Sequence, residues 1–141
     1  MIKKIFITGG LGLIGRELVK KLSNLKYNLV VIDIKKQIKR HKNFIETYKS
    51  SKTKFLECDV TNKKKLVKLT KKQDCIIHLA AILGVENTEK NIEKCWRINT
   101  HGTENIVEIC KINNVKKLIF SSSSEVYGES KTKTISEKNA L

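Results

Sequence analysis

The apolar run Ile5-Phe6-Ile7 leads straight into Thr8-Gly9-Gly10-Leu11-Gly12-Leu13-Ile14-Gly15, and apolar residues then recur at Ile14, Leu18, Leu22 and Leu25. That succession predicts a buried strand, a glycine turn and an amphipathic helix with nothing between them. Gly9, Gly12 and Gly15 remove the Cβ atoms that would keep a ligand, or the helix itself, away from the backbone. The helix opening near Leu13 then presents free N–H groups and the positive end of its dipole, a combination suited to a pyrophosphate. A glycine trio alone is weak evidence, and its setting is what strengthens it. Leu29-Val30-Val31-Ile32 is a second apolar run, and it stops at Asp33, eighteen residues after Gly15. A carboxylate at a strand tip accepts hydrogen bonds from ribose hydroxyls and repels a 2′-phosphate, which favours NAD over NADP. Lys35 and Lys36 pull the other way, since either can neutralise a phosphate.

The remaining chain keeps alternating. Lys35 to Lys54 is basic and is expected to be part helix, part loop. Phe55-Leu56 begins a third strand that ends at Asp59. Thr61 is expected to cap a helix holding Leu66, Val67 and Leu69. Cys75-Ile76-Ile77-His78-Leu79 reads as a fourth strand, Glu89 to Asn113 as a long helix, and Leu118-Ile119-Phe120 as a fifth strand ended by four serines. Continuous apolar strands separated by helices predict an α/β fold of the Rossmann type, a doubly wound parallel sheet with helices on both faces and strand order 3-2-1-4-5. Residues 1–141 are expected to form one such domain, cut off before a sixth strand.

The net charge is +15, from 29 basic and 14 acidic residues. Only Arg16, Arg40 and Arg97 are arginine, lysine is scattered over every segment, proline is absent and aromatics are 6%. Scattered lysine without interleaved aromatics reads as solvated helix faces, with no specific nucleic-acid partner expected. Cys58, Cys75, Cys95 and Cys110 form no C-x-x-C pair and no metal spacing, so no metal site is expected, and Cys75 and Cys110 read as core. With no signal peptide and no apolar run of membrane-spanning length, a reducing, cytoplasmic setting is expected.

Several motifs in chain order carry a family resemblance. The glycine turn is G-x-x-G-x-x-G. Cys58-Asp59-Val60, His78-Leu79-Ala80-Ala81, Asn99-Thr100-His101-Gly102-Thr103-Glu104-Asn105 and Phe120-Ser121-Ser122-Ser123-Ser124-Glu125-Val126-Tyr127-Gly128 follow it. Together they resemble the extended short-chain dehydrogenase/reductase family, in its NAD-dependent sugar-nucleotide epimerase/dehydratase branch. The resemblance implies NAD as cofactor and a nucleotide sugar as substrate, oxidised at C4 to a 4-keto intermediate. It places Gly9, Gly12, Leu13, Ile14, Gly15 and Asp33 along the dinucleotide. It sets Asp59 and Val60 at the adenine, and Leu79, Ala80, Ala81, Asn99 and Ser121 near the cofactor. Ser123 takes the catalytic Ser/Thr position, and its alternative is an ordinary strand-ending loop. Glu125, two residues before Tyr127, matches the acid/base carboxylate of dehydratase and decarboxylase members, and equally suits a solvated loop. His78 reads as a satisfied core histidine. A homodimer is common in the family, and a non-catalytic dinucleotide-binding module is the alternative of a different class.

The family's base is the tyrosine of Tyr-x-x-x-Lys. Tyr48 with Lys52 and Tyr127 with Lys131 match that spacing, and neither is accepted. Tyr48 precedes the third strand, and Gly128 argues against a helix starting at Tyr127. Ile135-Ser136-Glu137 resembles the approach to the family's catalytic helix, so the true pair is expected beyond Leu141 and the chain alone is expected to be inactive. If Asp33 receives the ribose hydroxyls, NAD binds more tightly than NADP in a calorimetric titration; equal affinities would remove that role.

Overall fold

The structure is a computed structural model, and it describes residues 2–128 and 134–136. Five strands, β1 (Lys4–Thr8), β2 (Asn28–Asp33), β3 (Thr53–Glu57), β4 (Cys75–His78) and β5 (Lys117–Phe120), form one parallel sheet in the order β3-β2-β1-β4-β5. The expected Rossmann-type order is therefore the observed one. The strands are continuously apolar because alternate residues feed two cores. Phe6, Ile32 and Ile76 face one side, and Ile5, Ile7, Leu29, Val31, Cys75 and Ile77 face the other. On the first side Leu66 of α4 (Lys63–Leu69) and Ile106 and Ile109 of α7 (Gly102–Ile112) complete the packing. On the second, Val19 of α1 (Leu13–Asn24) does so, with Phe44 and Tyr48 of α3 (Lys42–Tyr48) against it. Burial of this apolar surface from both faces is the main term holding the sheet.

The basic segment after β2 is helical at α2 (Lys35–Arg40) and α3, which meet at His41. Two expectations need correction. Thr61 does not cap α4. Its N–H and hydroxyl both go to Asp59 Oδ1, at 2.9 and 2.8 Å, and Asn62 is the cap, accepting the Lys65 N–H at 3.0 Å. The long helix expected from Glu89 to Asn113 is also not a single one. It begins earlier, at α5 (Val85–Lys90), breaks at Asn91 and resumes as α6 (Ile92–Trp96). It then widens to a π-helical turn at Arg97–His101 before α7. The Thr103 hydroxyl donates to the Asn99 carbonyl at 2.6 Å, competing for an acceptor inside that turn.

β3 and β5 are the sheet edges. Among the described residues no strand lies beyond β5, and Ile119 and Phe120 are 43% and 55% exposed. No helix among the described residues is long and apolar enough to cross a membrane. Asn62→Ala should lower stability by about 1 kcal/mol in urea denaturation, and an unchanged midpoint would show that the cap contributes nothing.

Candidate functional site

All strands of a parallel sheet end on the same side, and here the loops leaving those ends form a cleft of ≈ 820 Å³. The glycine turn is its floor. Gly9 sits at φ +65°, and a Cβ there would lie 2.8 Å from the Ala80 backbone, so the turns after β1 and β4 touch main chain to main chain. A Cβ at Gly15 would lie 2.4 Å from the Gly9 carbonyl oxygen, so α1 can start only if that residue is glycine. A Cβ on Gly12 would meet only the Gly9 oxygen, at 3.2 Å. The first N–H bonded within α1 is that of Arg16, to Gly12 O at 3.0 Å. The N–H groups of Leu13, Ile14 and Gly15 lie ahead of any helical carbonyl, and all three residues line the cleft.

Asp33 is held from two sides. Its Oδ2 accepts the Leu11 N–H at 2.9 Å and its Oδ1 accepts the Ile34 N–H at 2.8 Å. Burial raises its pKa above the usual carboxylate range, against the opposing pull of those two donors and of His41. Asp59 lines the cleft while its Oδ1 accepts from Thr61. Val60 is buried against Gly102, where a Cβ would lie 2.6 Å from its Cγ2, and its carbonyl accepts the Asn105 side-chain amide at 3.0 Å.

Thr8, His78, Thr103 and Asn99 form a chain of hydrogen bonds under the centre of the cleft. Thr8 Oγ1 accepts the N–H groups of Leu79 and Ala80, both at 3.2 Å, so its hydrogen is free for His78 Nδ1 at 2.6 Å. His78 is then the neutral tautomer protonated on Nε2, which donates to Thr103 Oγ1 at 3.0 Å. Thr103 in turn donates to the Asn99 carbonyl. Burial lowers the His78 pKa to about 4. Asn99 uses its side chain elsewhere, accepting the Ile82 N–H at 2.8 Å and donating to the Ile82 carbonyl at 3.0 Å. It thereby fixes the loop that carries Leu79, Ala80 and Ala81.

At the far end, Ser121 follows β5 with its N–H on the His78 carbonyl at 3.3 Å. Ser123 caps the 3₁₀ turn Ser124–Tyr127 by accepting the Glu125 N–H at 3.2 Å. Both Ser123 and Glu125 are exposed and line the cleft. Gly9, Gly12, Leu13, Ile14, Gly15, Asp33, Asp59, Val60, Leu79, Ala80, Ala81, Asn99 and Ser121 line it too. Tyr48 packs on Phe44 at 4.7 Å in the second core, and Tyr127 is not among the lining residues. Lys131 and Glu137 lie outside the described residues. The sequence motifs assign no role to Thr8 or Thr103. The signal was present, since a buried neutral imidazole needs one donor and one acceptor.

The pattern of the NAD dependent epimerase/dehydratase family matches residues 5–141. The chain belongs to that family. It is 34% identical to the bifunctional UDP-glucose 4-epimerase and UDP-xylose 4-epimerase 1 of Pisum sativum, over 90% of this chain and 38% of that protein. It is 35% identical to the UDP-N-acetyl-alpha-D-glucosaminuronate decarboxylase of Bacillus cytotoxicus, over 92% of this chain and 39% of that one. The solved UDP-Glc/GlcNAc 4-epimerase of Campylobacter jejuni superimposes with a TM-score of 0.87 and 31% identity, covering 99% of this chain and 43% of its own. The chain thus spans about two-fifths of the length of the curated relatives it matches. Family members are NAD dependent, and these relatives are enzymes.

His78 makes stability pH dependent. The folded state refuses a proton that the unfolded chain takes up below pH 6.5. The full contribution is present above that pH, and stability is lost as pH falls towards 4, by about 3 kcal/mol. Thermal melts between pH 7 and 4 should show the loss, and ¹⁵N NMR should find His78 as the neutral tautomer protonated on Nε2 from pH 7 down to about 5; a His78 titrating near 6.5 would refute the chain of hydrogen bonds.

Proposed function

We propose that residues 1–141 form the NAD-binding part of an enzyme that oxidises a nucleotide sugar at C4, holds the 4-keto sugar and then epimerises or dehydrates it. The observation supporting this is the convergence of side chains and glycines from five separate motifs on the wall of one cleft. The residues fit the cofactor. Gly12 keeps the turn free of a side chain that would crowd the Gly9 oxygen at 3.2 Å, and neither Gly9 nor Gly15 could carry one. Leu13, Ile14 and Gly15 offer N–H groups to the pyrophosphate. Asp33, held in place by Leu11 and Ile34, keeps its outer lone pairs for the adenosine ribose. Asp59 and Val60 flank the adenine. Leu79, Ala80, Ala81, Asn99 and Ser121 line the remaining length. NAD bound there supplies a hydride acceptor.

Ser123 suits the role of substrate hydrogen-bond donor. Its oxygen already accepts from Glu125 N–H, which leaves the hydroxyl hydrogen for the sugar C4 oxygen. Glu125 brings a carboxylate into the same cleft. That favours the dehydratase or decarboxylase members as a second reading, since acid/base work on a sugar carbon needs such a group.

Gly12→Ala separates function from fold. The substitution is expected to lower the thermal midpoint by only a few degrees (about 5 °C at most), because the added methyl crowds a single backbone oxygen, at 3.2 Å. It is expected to weaken NAD binding ~10-fold or more by calorimetry, because the methyl enters the space beside the turn. An unaltered NAD affinity would sink the placement of the pyrophosphate, and a parent chain that binds no NAD would sink the cofactor reading as a whole. With NAD and UDP-glucose or UDP-N-acetylglucosamine supplied, no turnover is expected, since no tyrosine is among the described lining residues. Any turnover would overturn that expectation, and its survival in Tyr127→Phe would exclude Tyr127 as the base behind it.

A further inference from the structure

The Leu11 peptide, in the middle of the glycine turn, is gripped on both of its polar atoms. Its N–H goes to Asp33, and its carbonyl accepts from Arg16 Nη1 at 3.1 Å. Arg16 belongs to the first turns of α1 and is half-buried, and it is not among the residues lining the cleft. The same Nη1 lies 3.0 Å from Nε2 and 3.4 Å from Nδ1 of His41, the residue joining α2 to α3. Two ring nitrogens at such similar distances place the guanidinium against the imidazole as a whole rather than on one lone pair. A neutral ring accepts a cation in that position, and an imidazolium would repel it at contact distance.

We propose that Arg16 and His41 form a brace behind the phosphate-facing turn: Arg16 holds the Leu11 carbonyl, the neutral His41 ring holds Arg16, and protonation of His41 releases the turn and weakens cofactor binding. Both are positioning residues, and the inference rests on the reading that the cleft takes NAD. The groups facing His41 support the direction. Arg16 from α1 and Arg40 from α2 carry positive charge towards it, and among the described residues Asp33 from β2 carries the opposing charge. Partial burial and the two arginines keep its pKa below the usual histidine value. The brace is therefore closed at neutral pH and opens as pH falls.

The test measures NAD affinity of the 141-residue chain by calorimetry between pH 7.5 and 5.5. The variants are Arg16→Lys, Arg16→Met and His41→Phe, the last keeping a ring face that cannot titrate. The parent affinity is expected to fall several-fold as pH drops, and that of His41→Phe to stay flat. Arg16→Met should bind ~10-fold more weakly at every pH, and Arg16→Lys should recover part of the loss with an unchanged melting temperature. Without ligand, the Leu11 and Gly12 amide NMR shifts should move with the same midpoint as the His41 ring protons. Amide shifts that ignore His41, or a folded Arg16→Met that binds NAD like the parent, would overturn the brace. A parent chain that fails to bind NAD would sink the cofactor reading instead, and the amide titration would still decide the brace.

Discussion

A neutral imidazole in the middle of the molecule ties the strand ends to the helices. His78 has no water to turn to, so each ring nitrogen must find a protein partner. Thr8 supplies the acceptor's partner from the end of β1, and Thr103 supplies the donor's from α7. Because Thr8 also accepts the Leu79 and Ala80 N–H groups, one hydroxyl sets where β1 stops, where β4 turns away and which tautomer lies between them. The floor and central wall of the cleft follow from that junction. Hydrophobic burial on both faces supplies most of the folding energy, but it does not dictate where a strand ends. The polar chain does.

The three glycines of the turn answer to different constraints. Gly9 and Gly15 are glycine because the folded chain has no room for anything else. Gly12 is less constrained, since a Cβ there would crowd a single backbone oxygen, at 3.2 Å. A glycine pattern treats the three as equivalent, although two of them meet neighbouring backbone far more closely than the third.

The sheet order was legible because the inner strands β1, β2 and β4 each serve two cores and so read as uninterrupted apolar runs. The helices behind it were less legible. Lys35 to Lys54 contains two short helices whose junction, His41, is marked by no cap or glycine. Thr61 was the expected cap, but Asp59 two residues earlier takes its hydroxyl and Asn62 caps instead, a local competition that propensity does not weigh. The site residues were legible as members of motifs, whereas their partners were not. Asn99 and Ile82, Asn105 and Val60, and Leu11 and Asp33 meet only once the strands are assembled. The break at Asn91 and the π-helical turn were not legible because no glycine or proline stands between Asn91 and His101 to mark them.

That π-helical turn limits how the chain can vary. An extra residue between Arg97 and His101 turns everything after it by about 100° relative to a regular α-helix. Asn99 reaches Ile82 and Thr103 reaches His78, both at the cleft, so a change of length between them would turn one attachment away from the other. Deleting one residue would restore a more stable helix and leave the two clamps out of register. The segment should therefore tolerate substitutions at Arg97 or His101, whose side chains are exposed, far better than any change in its length. Among natural variants of this domain, insertions and deletions should fall in the loops, and the spacing from Asn99 to Thr103 should stay constant even where the residues between them differ.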